Sequence, residues 1–442
     1  MNNAEVLRIC KEEKVRFLRL QFIDIMGIPK NVEVPETQFE RALNGEIVFD
    51  GSSIQGFARL EEADMRLAPD PATFRIFPFE RLERGRVGRL ICDVRDAEGE
   101  EFEGCPRTRL KKVLAEARDL GFRMYAGLEA EFFLFLRDER GLPTVTTQDA
   151  GGYFDLTPID RGEEARRDMV NVLEGMGLEV EGAHHEVAPG QHEIDFKLSD
   201  ALTTADNMMT LKLVVRTVAD QHGLHATFMP KPIFGVNGSG MHVYQFLNRQ
   251  GRNAFVDPKG NNGLSDIALQ YIGGLLKHAP GFCAVTNPLV NSYKRLVPGF
   301  EAPTNVAWSE RNRGGPLVRV PADRGELTRC ELRMPDPSCN PYLALAVILK
   351  SALDGIRRRV IPPPPVSKNI YALSVRERRR HKVADLPNSL HQALQQLKRD
   401  KLVQEALGGH IFRHYYEAKT GEWERYSQQV HQWELETYLG AY

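Results

Sequence analysis

The sequence predicts an α+β protein of two domains, and three observations carry that expectation. The chain has 442 residues, more than a single hydrophobic core usually organises. Its first hundred residues are dominated by β-rich segments and turns. From Arg107 onward apolar residues recur at helical spacing and alternate with further strands. The boundary falls at Gly104-Cys105-Pro106, giving an N-terminal domain over 1–104 and a larger domain over 105–442.

Composition narrows the function. With 42% hydrophobic and 27% charged residues, the chain can bury a core of good size. Lys+Arg 58 against Asp+Glu 60 leaves a net charge of -2, which favours neither a nucleic acid nor an anionic membrane and points to a small partner. Met1 to Lys14 lacks an apolar signal region, and no apolar run is long enough to span a bilayer, so a cytoplasmic protein is expected. The six cysteines show no paired spacing, which fits a reducing compartment and argues against a zinc or disulfide framework.

In chain order, Val15 to Ile25 reads as a strand ending in the turn Met26-Gly27, and Arg86 to Val94 as a second strand. Between them lies the loop Phe49-Asp50-Gly51-Ser52-Ser53, in which Asp50 alone reads as a turn-capping residue. A helix is expected from Arg107 to Gly121, a strand from Met124 to Leu136, and helices over Glu163 to Met176 and Ala205 to Gln221. A short strand, Ala226 to Met229, precedes the glycine-rich run Gly235 to His242. Ser265 caps a helix running to His278, and Asn340-Pro341 opens another. Beyond the prolines 362–365 come amphipathic helices suited to packing or assembly, and Arg376, Arg378, Arg379 and Arg380 read as a solvated helix face.

Three distant segments carry the chemistry. His184 to Glu193 sets two carboxylates and three imidazoles around a Pro-Gly turn, a composition suited to hard-cation ligands. Strand alternation puts Glu129 and Glu131 on one face, and Arg329, Glu331 and Arg333 on one face with Cys330 and Leu332 behind. A lone R-x-E-x-R is more simply a structural ion pair, but five carboxylates (Glu129, Glu131, Glu186, Glu193, Glu331) in one domain need cations to gather. His242 adds a candidate nitrogen ligand. Gly238-Ser239-Gly240 fits neither a dinucleotide fingerprint nor a P-loop, and His185-Glu186 lacks the second histidine of H-E-x-x-H. A multi-carboxylate divalent-metal site beside Arg295, Arg313, Arg319, Arg329 and Arg333 suggests phosphoryl transfer to or from an acidic substrate.

These residues resemble the glutamine synthetase family, specifically the bacterial type I, α-subtype, Bacillus-like branch. The motifs are Phe49 to Ser53, Glu129-Ala130-Glu131, His184 to Glu193, Lys231-Pro232 through His242, Asn291 to Gly299, and Arg329 to Arg333 followed by Asn340-Pro341-Tyr342. The resemblance implies an N-terminal β-grasp domain, a catalytic α/β domain with an antiparallel β funnel, and two stacked hexameric rings with active sites between subunits. It implies one divalent cation (Mg2+ or Mn2+) on Glu131, Glu186 and Glu193, and another on Glu129, His242 and Glu331. L-Glutamate would meet Asn237, Gly238, Arg295, Glu301, Arg313 and Arg333; ATP would meet Glu181, Arg313, Arg319 and Arg329. Asp50, Glu301 and Arg319 would be catalytic, with Asp50 of an adjacent subunit deprotonating ammonium so that ammonia attacks γ-glutamyl phosphate.

Regulation follows from the same resemblance. Arg59 matches an arginine linked to feedback inhibition by glutamine, and a nitrogen-regulator protein is a further partner. Tyr371 aligns with a tyrosine adenylylated in enteric relatives, a modification the α subtype generally lacks. Two features depart from the family pattern: Phe246 replaces a nucleotide-contacting serine, and Gly314-Gly315 adds one residue between Arg313 and Arg319. The alternatives are a γ-glutamyl-amine or polyamine ligase on the same scaffold, and a non-catalytic regulatory paralogue, which would be expected to have lost metal ligands.

Overall fold

The computed structural model describes residues 1–54, 56–57, 64–79, 85–310, 315–321, 325–366, 370 and 373–442, the side chain of residue 261 excepted. Near the N-terminus, β1 (Val15–Ile23), β2 (Pro29–Pro35), β3 (Val48–Asp50), β4 (Asp64–Ile76) and β5 (Arg86–Arg95) form a sheet in the order β2-β1-β5-β4-β3. β1 and β5 are parallel, with Leu20 opposite Leu90; the other pairs are antiparallel. Alternation turns Leu18, Leu20 and Phe22 inward, where they share a core with Val6 and Cys10 of the helix Asn3–Glu12. Asn2 and Glu5 close that helix as a capping box.

The second sheet holds β6 (Arg123–Arg137), β7 (Pro143–Thr147), β8 (Val180–His185), β9 (Gln191–Phe196), β10 (Ser199–Asp200) and β11 (Leu224–Thr227). It continues with β12 (Met241–Arg249), β13 (Arg252–Asn253), β14 (Asn305–Ser309), β15 (Pro316–Arg319), β16 (Cys330–Leu332) and β17 (Ala384–Asp385). Its main path is β17-β14-β15-β16-β12-β6-β9-β8, antiparallel except for β14 beside β15. Leu128, Ala130, Val243, Cys330 and Leu332 point from one face into the core. That core is filled by the helices Pro106–Asp119, Ala201–Gln221, Asp266–Thr286 and Pro341–Arg357, the last buried for most of its length. On the opposite face of β6, Phe133 and Phe135 pack with Ala188, Ile233 and Val236 in a smaller apolar cluster beside Glu129 and Glu131.

Several elements extend past their expected ends. The helix expected from Ala205 starts at Ala201, because Asp200 caps it by accepting from the Thr203 amide. The helix expected to stop at His278 runs on through Pro280 to Thr286, its Phe282, Cys283, Ala284 and Val285 fully buried; tertiary packing outweighs the proline. The arginines at 376–380 do lie on a short helix, Val375–Arg380, with no buried residue.

A buried cation ties the N-terminal sheet to the helices that pack behind the second one. Arg107, 2% exposed, donates to both Asp206 oxygens (2.9 Å each), to Asp70 (2.7 Å) on β4 and to Asp93 (3.1 Å) on β5. Tyr342 adds a hydrogen bond to Asp206 at 2.6 Å. Asn340, which caps the central helix, donates to the Asp24 carbonyl (3.1 Å) beyond β1. The neighbouring Gly27 has φ +88, and a Cβ there would lie 3.1 Å from the Asn340 Cα. Only glycine fits that approach comfortably.

Candidate active site

Strand register builds the site. β6 is its axis: Glu129 pairs with His242 of β12 on one side and Asp195 of β9 on the other, while Glu131 pairs with Glu193. Glu331 of β16 pairs with Tyr244, two residues along β12 from His242. The turn after β8 brings Glu186 back over the same face, its amide donating to the Gln191 carbonyl at 2.7 Å. Gly190, at φ +66, makes this tight return possible; a Cβ there would sit 2.9 Å from the Leu134 carbonyl. All six sequence-selected candidates, Glu129, Glu131, Glu186, Glu193, His242 and Glu331, line one cavity of about 600 Å³.

The His242 Nδ1 lies 3.6 Å from Glu129 and 3.5 Å from Glu331. Burial, then the nearby Arg333, Arg295 and Arg319, holds its pKa well below the usual value, so the ring is neutral with a lone pair to offer. The carboxylates are displaced the other way. Burial, with Asp195 and Glu331 adding repulsion, pushes Glu129 up to about 8. Burial and Glu186 push Glu131 to about 7 despite Arg295, and Glu193 is raised by burial and by Asp195, Glu131 and Glu129. Glu331, fully buried, is held by Arg319 and Arg333 at 2.5 Å each. Acids so desolvated and crowded are favoured as anions only when cations join them.

Of the remaining candidates, Asn237, Gly238, Arg295, Glu301, Arg319 and Arg333 also line the cavity. The glycine run serves close approach: a Cβ on Gly238 would fall 2.2 Å from the Pro230 carbonyl, and one on Gly240 would fall 2.5 Å from Arg295 Nη2. Arg295, 3% exposed, donates to the Met334, Pro335 and Arg333 carbonyls at 2.8, 3.3 and 3.2 Å. Glu301 has φ +58, a left-handed conformation that costs a non-glycine residue strain and clusters at functional sites. Arg319 ends β15, which follows Gly315, whose φ of +97 is a conformation suited to glycine.

Glu181, Arg329 and Asp50 do not line this cavity. Glu181 is exposed on β8; Arg329 lies with its guanidinium 5.2 Å over the ring of Tyr244, at the margin of the site. Asp50 ends β3 of the N-terminal sheet, exposed, accepting from the Ser52 amide (2.8 Å) and hydroxyl (2.6 Å). Those bonds hold its pKa below the ordinary range. Arg59, Arg313 and Tyr371 lie outside the described residues.

Sequence reasoning left out residues that the cavity includes. Asp195 lies two residues past Glu193, and the alternation that joined Glu129 to Glu131 would have found it. His184 lies 2.9 Å from Glu186 and 3.7 Å from Glu193. Tyr153, Val187, Gln191, Tyr244, Phe300 and Ala302 complete the lining. His185 and His192 do not line the cavity, yet they are engaged. His185 bonds Asp149 (3.1 Å) and the Glu186 carbonyl (2.7 Å), and His192 faces Arg166 (2.9 Å) and Gln148 (3.1 Å). Asp149, Asp160, His185 and His192 approach closely enough to suggest a cation group. With the Arg166 guanidinium among them, paired to Asp160 at 2.8 Å, they form an ionic network instead.

One atom tests whether the cavity fits a divalent cation. Asp195 Oδ1 is buried with no hydrogen-bond partner among the described residues, and burial drives the carboxyl to about 6. Arg333 Nε is likewise buried and unpartnered among them, an open donor beside the acids. An oxygen-rich set with a neutral imidazole, an orphaned carboxylate oxygen and buried guanidiniums suits a hard cation and an anionic substrate together. Fold and site thus define the class of metal-dependent enzymes that handle phosphorylated or carboxylate substrates.

Comparison with known proteins makes the class particular. Residues 103–438 match the family model described as "Glutamine synthetase, catalytic domain", and residues 14–97 the one described as "Glutamine synthetase, beta-Grasp domain". The chain is 61% identical over 442 residues to the glutamine synthetase of Thermus thermophilus, with 99% of each chain covered. It is 56% identical to that of Clostridium saccharobutylicum over 99% of this chain and 98% of the other. The chain therefore belongs to the glutamine synthetase family. Among solved structures it is similar to one described as "GmaS/ADP complex-Conformation 1", with TM-score 0.89 and 32% identity over 99% of both chains. Plasmodium falciparum glutamine synthetase, at 24% identity over 99% of both chains and TM-score 0.88, shares the fold.

Proposed function

We propose that the chain ligates ammonia to the γ-carboxylate of L-glutamate at the expense of ATP, through γ-glutamyl phosphate, giving L-glutamine, ADP and phosphate. The observation that carries this reading is the meeting of acids and arginines on one cavity face of a glutamine synthetase family member. Glu131, Glu186 and Glu193 hold one Mg2+ or Mn2+, and Glu129, His242 and Glu331 another. Cations held by these residues would supply charge neutralisation for the phosphate oxygens and polarisation of the transferring group. Arg295, Arg333, Asn237 and Gly238, with Arg313, orient glutamate so that its γ-carboxylate lies in line with the γ-phosphate. Arg319 and Arg329, with Arg313 and Glu181, serve the nucleotide, and Arg319 stabilises the charge that develops in transfer.

Asp50 reaches the site from an adjacent subunit and takes the proton of ammonium. Its place on the N-terminal sheet, outside the cavity of its own chain, supports a role at a neighbouring site, and its stabilised anion suits it to attract and hold the ammonium cation. Glu301 covers the cavity mouth, excludes water from the acyl phosphate and accepts a further proton. The assembly is a homo-oligomer of two stacked hexameric rings in the cytoplasm, with Arg59 relaying feedback by glutamine and a nitrogen-regulator protein as partner. The two domains divide at 104/105. At Phe246 the ring stacks on Tyr125, centroids 5.2 Å apart and 10° from parallel, where a nucleotide-binding hydroxyl would otherwise stand. Replacing Phe246 by Ser is expected to tighten ATP binding up to about tenfold, one hydrogen bond's worth. Unchanged affinity in a nucleotide titration would remove Phe246 from the nucleotide site.

The deciding experiment is phosphate release with glutamate and ATP, comparing ammonium with a panel of amines. Release with ammonium is the expected result. Release with amines alone would transfer the assignment to γ-glutamyl-amine ligation, and no release to a regulatory paralogue.

A further inference from the structure

A buried carboxylate outside the cavity is hydrogen-bonded to the turn that joins two of its acids. Asp149 is not a lining residue, and its side chain is fully buried. Its Oδ1 accepts from His185 Nε2 at 3.1 Å, from the Gly190 amide at 2.9 Å and from the Gly151 amide at 3.3 Å. Its Oδ2 accepts from the Arg161 amide at 3.2 Å. His185 in turn donates from Nδ1 to the Glu186 carbonyl at 2.7 Å. Asp149 thus grips both ends of the connection between β8 and β9, the Glu186 main chain through His185 and the Gly190 main chain directly. The five residues so clamped, 186–190, carry Glu186 and lead straight into the strand that bears Glu193.

The fit around this clamp leaves little room for adjustment. A Cβ on Gly151 would lie 2.8 Å from His185 Nε2, inside the hydrogen bond to Asp149. The loop carrying Asp149 must therefore approach as bare backbone. We propose that Asp149 is a positioning residue that fixes the separation of Glu186 and Glu193, and so the affinity of the cation they share. The proposal rests on the reading of those glutamates as cation ligands. Partners behind metal ligands commonly change affinity by 10–100-fold when removed. Asp149 would do so through a backbone turn and one imidazole, touching neither cation nor substrate.

The test is Mn2+ binding to the full-chain enzyme without nucleotide, followed by electron paramagnetic resonance, alongside thermal melting. Asp149→Ala is expected to weaken Mn2+ binding by about 10–100-fold. Asp149→Asn, which keeps one acceptor oxygen, is expected to weaken it less. In both, saturating Mn2+ restores kcat while the metal activation curve shifts to higher concentration, a split that a merely structural loss would not produce. Gly151→Ala keeps Asp149 but displaces His185, and is expected to reproduce the Mn2+ defect; it decides the question if Asp149→Ala does not fold. Glu186→Gln is the control for the ligand reading. If Glu186→Gln loses Mn2+ while the folded Asp149 and Gly151 variants bind within twofold of the unaltered enzyme, the positioning role is overturned. If Glu186→Gln itself binds normally, the ligand reading has failed instead.

Discussion

Two buried clusters of charge in this chain are built on opposite accounting. Around Arg107 one guanidinium meets Asp70, Asp93 and Asp206 at hydrogen-bond distance, and Tyr342 helps to satisfy Asp206. In the cavity, acids crowd one another, with Glu129 at about 8, Glu131 at about 7 and Asp195 at about 6. The first cluster is complete within the protein and locks the N-terminal sheet to the helices Pro106–Asp119 and Ala201–Gln221. The second is incomplete by design of its residues, and what would complete it is a ligand.

That contrast can be broken experimentally, beginning with its strongest consequence. Arg107→Ala removes the guanidinium shared by the three aspartates, leaving Lys111 on Asp93, and should cost about 3–5 kcal/mol of stability, read as a lowered urea midpoint. A loss under 1 kcal/mol would mean that water replaces the guanidinium. In the cavity the same kind of deletion should act on function. Glu129→Gln is expected to weaken Mn2+ binding by more than about 100-fold and to leave the metal-free melting temperature unchanged or raised, since a repelled acid is lost. A clear fall in metal-free stability would place Glu129 with the structural cluster.

The two clusters should also answer pH in opposite senses. Burial raises Asp70, but the hydrogen bond and charge of Arg107 outweigh it and hold the group below its usual range. Its stabilisation is thus present above the ordinary carboxyl pKa and lost as acid is added. The raised cavity acids are stable as neutral groups; their contribution is present below the ordinary carboxyl pKa and lost as pH rises through about 6 to 8. Metal-free enzyme should therefore melt roughly 2 °C or more lower at pH 8.5 than at pH 6, and Mn2+ should abolish the difference. A metal-free melting temperature flat over that range would refute the crowding. The smallest effect belongs to an exposed pair: Arg8→Ala, which breaks a 2.8 Å contact with Glu12, should change stability by about 0.5 kcal/mol or less.

Much of this was legible in the sequence, for identifiable reasons. Glu129, Glu131, Glu193 and Glu331 lie on strands, where the two-residue period assigns faces without further knowledge. The hairpin at Pro189-Gly190 announced its own turn. The same rule applied once more would have added Asp195. What sequence could not supply was the partner of each strand. That Glu129 stands opposite His242, and that Arg107 finds Asp70, Asp93 and Asp206, depends on register and on contacts between residues far apart in the chain. Nor could spacing foresee that the helix after Ser265 continues past Pro280, because burial against its neighbours decides that. The role of Asp149 was hidden for the same reason: it acts 36 residues away on His185, through space.

The elevated acids of the cavity have a thermodynamic signature of their own. Glu129 at about 8 and Glu131 at about 7 still carry protons in much of the population at neutral pH. Cation uptake must expel them, so binding is an exchange in which protons leave to the solvent. The heat of Mn2+ binding should then track the ionisation enthalpy of the buffer, and a modest acidification of the medium should compete with the metal as a second ligand would.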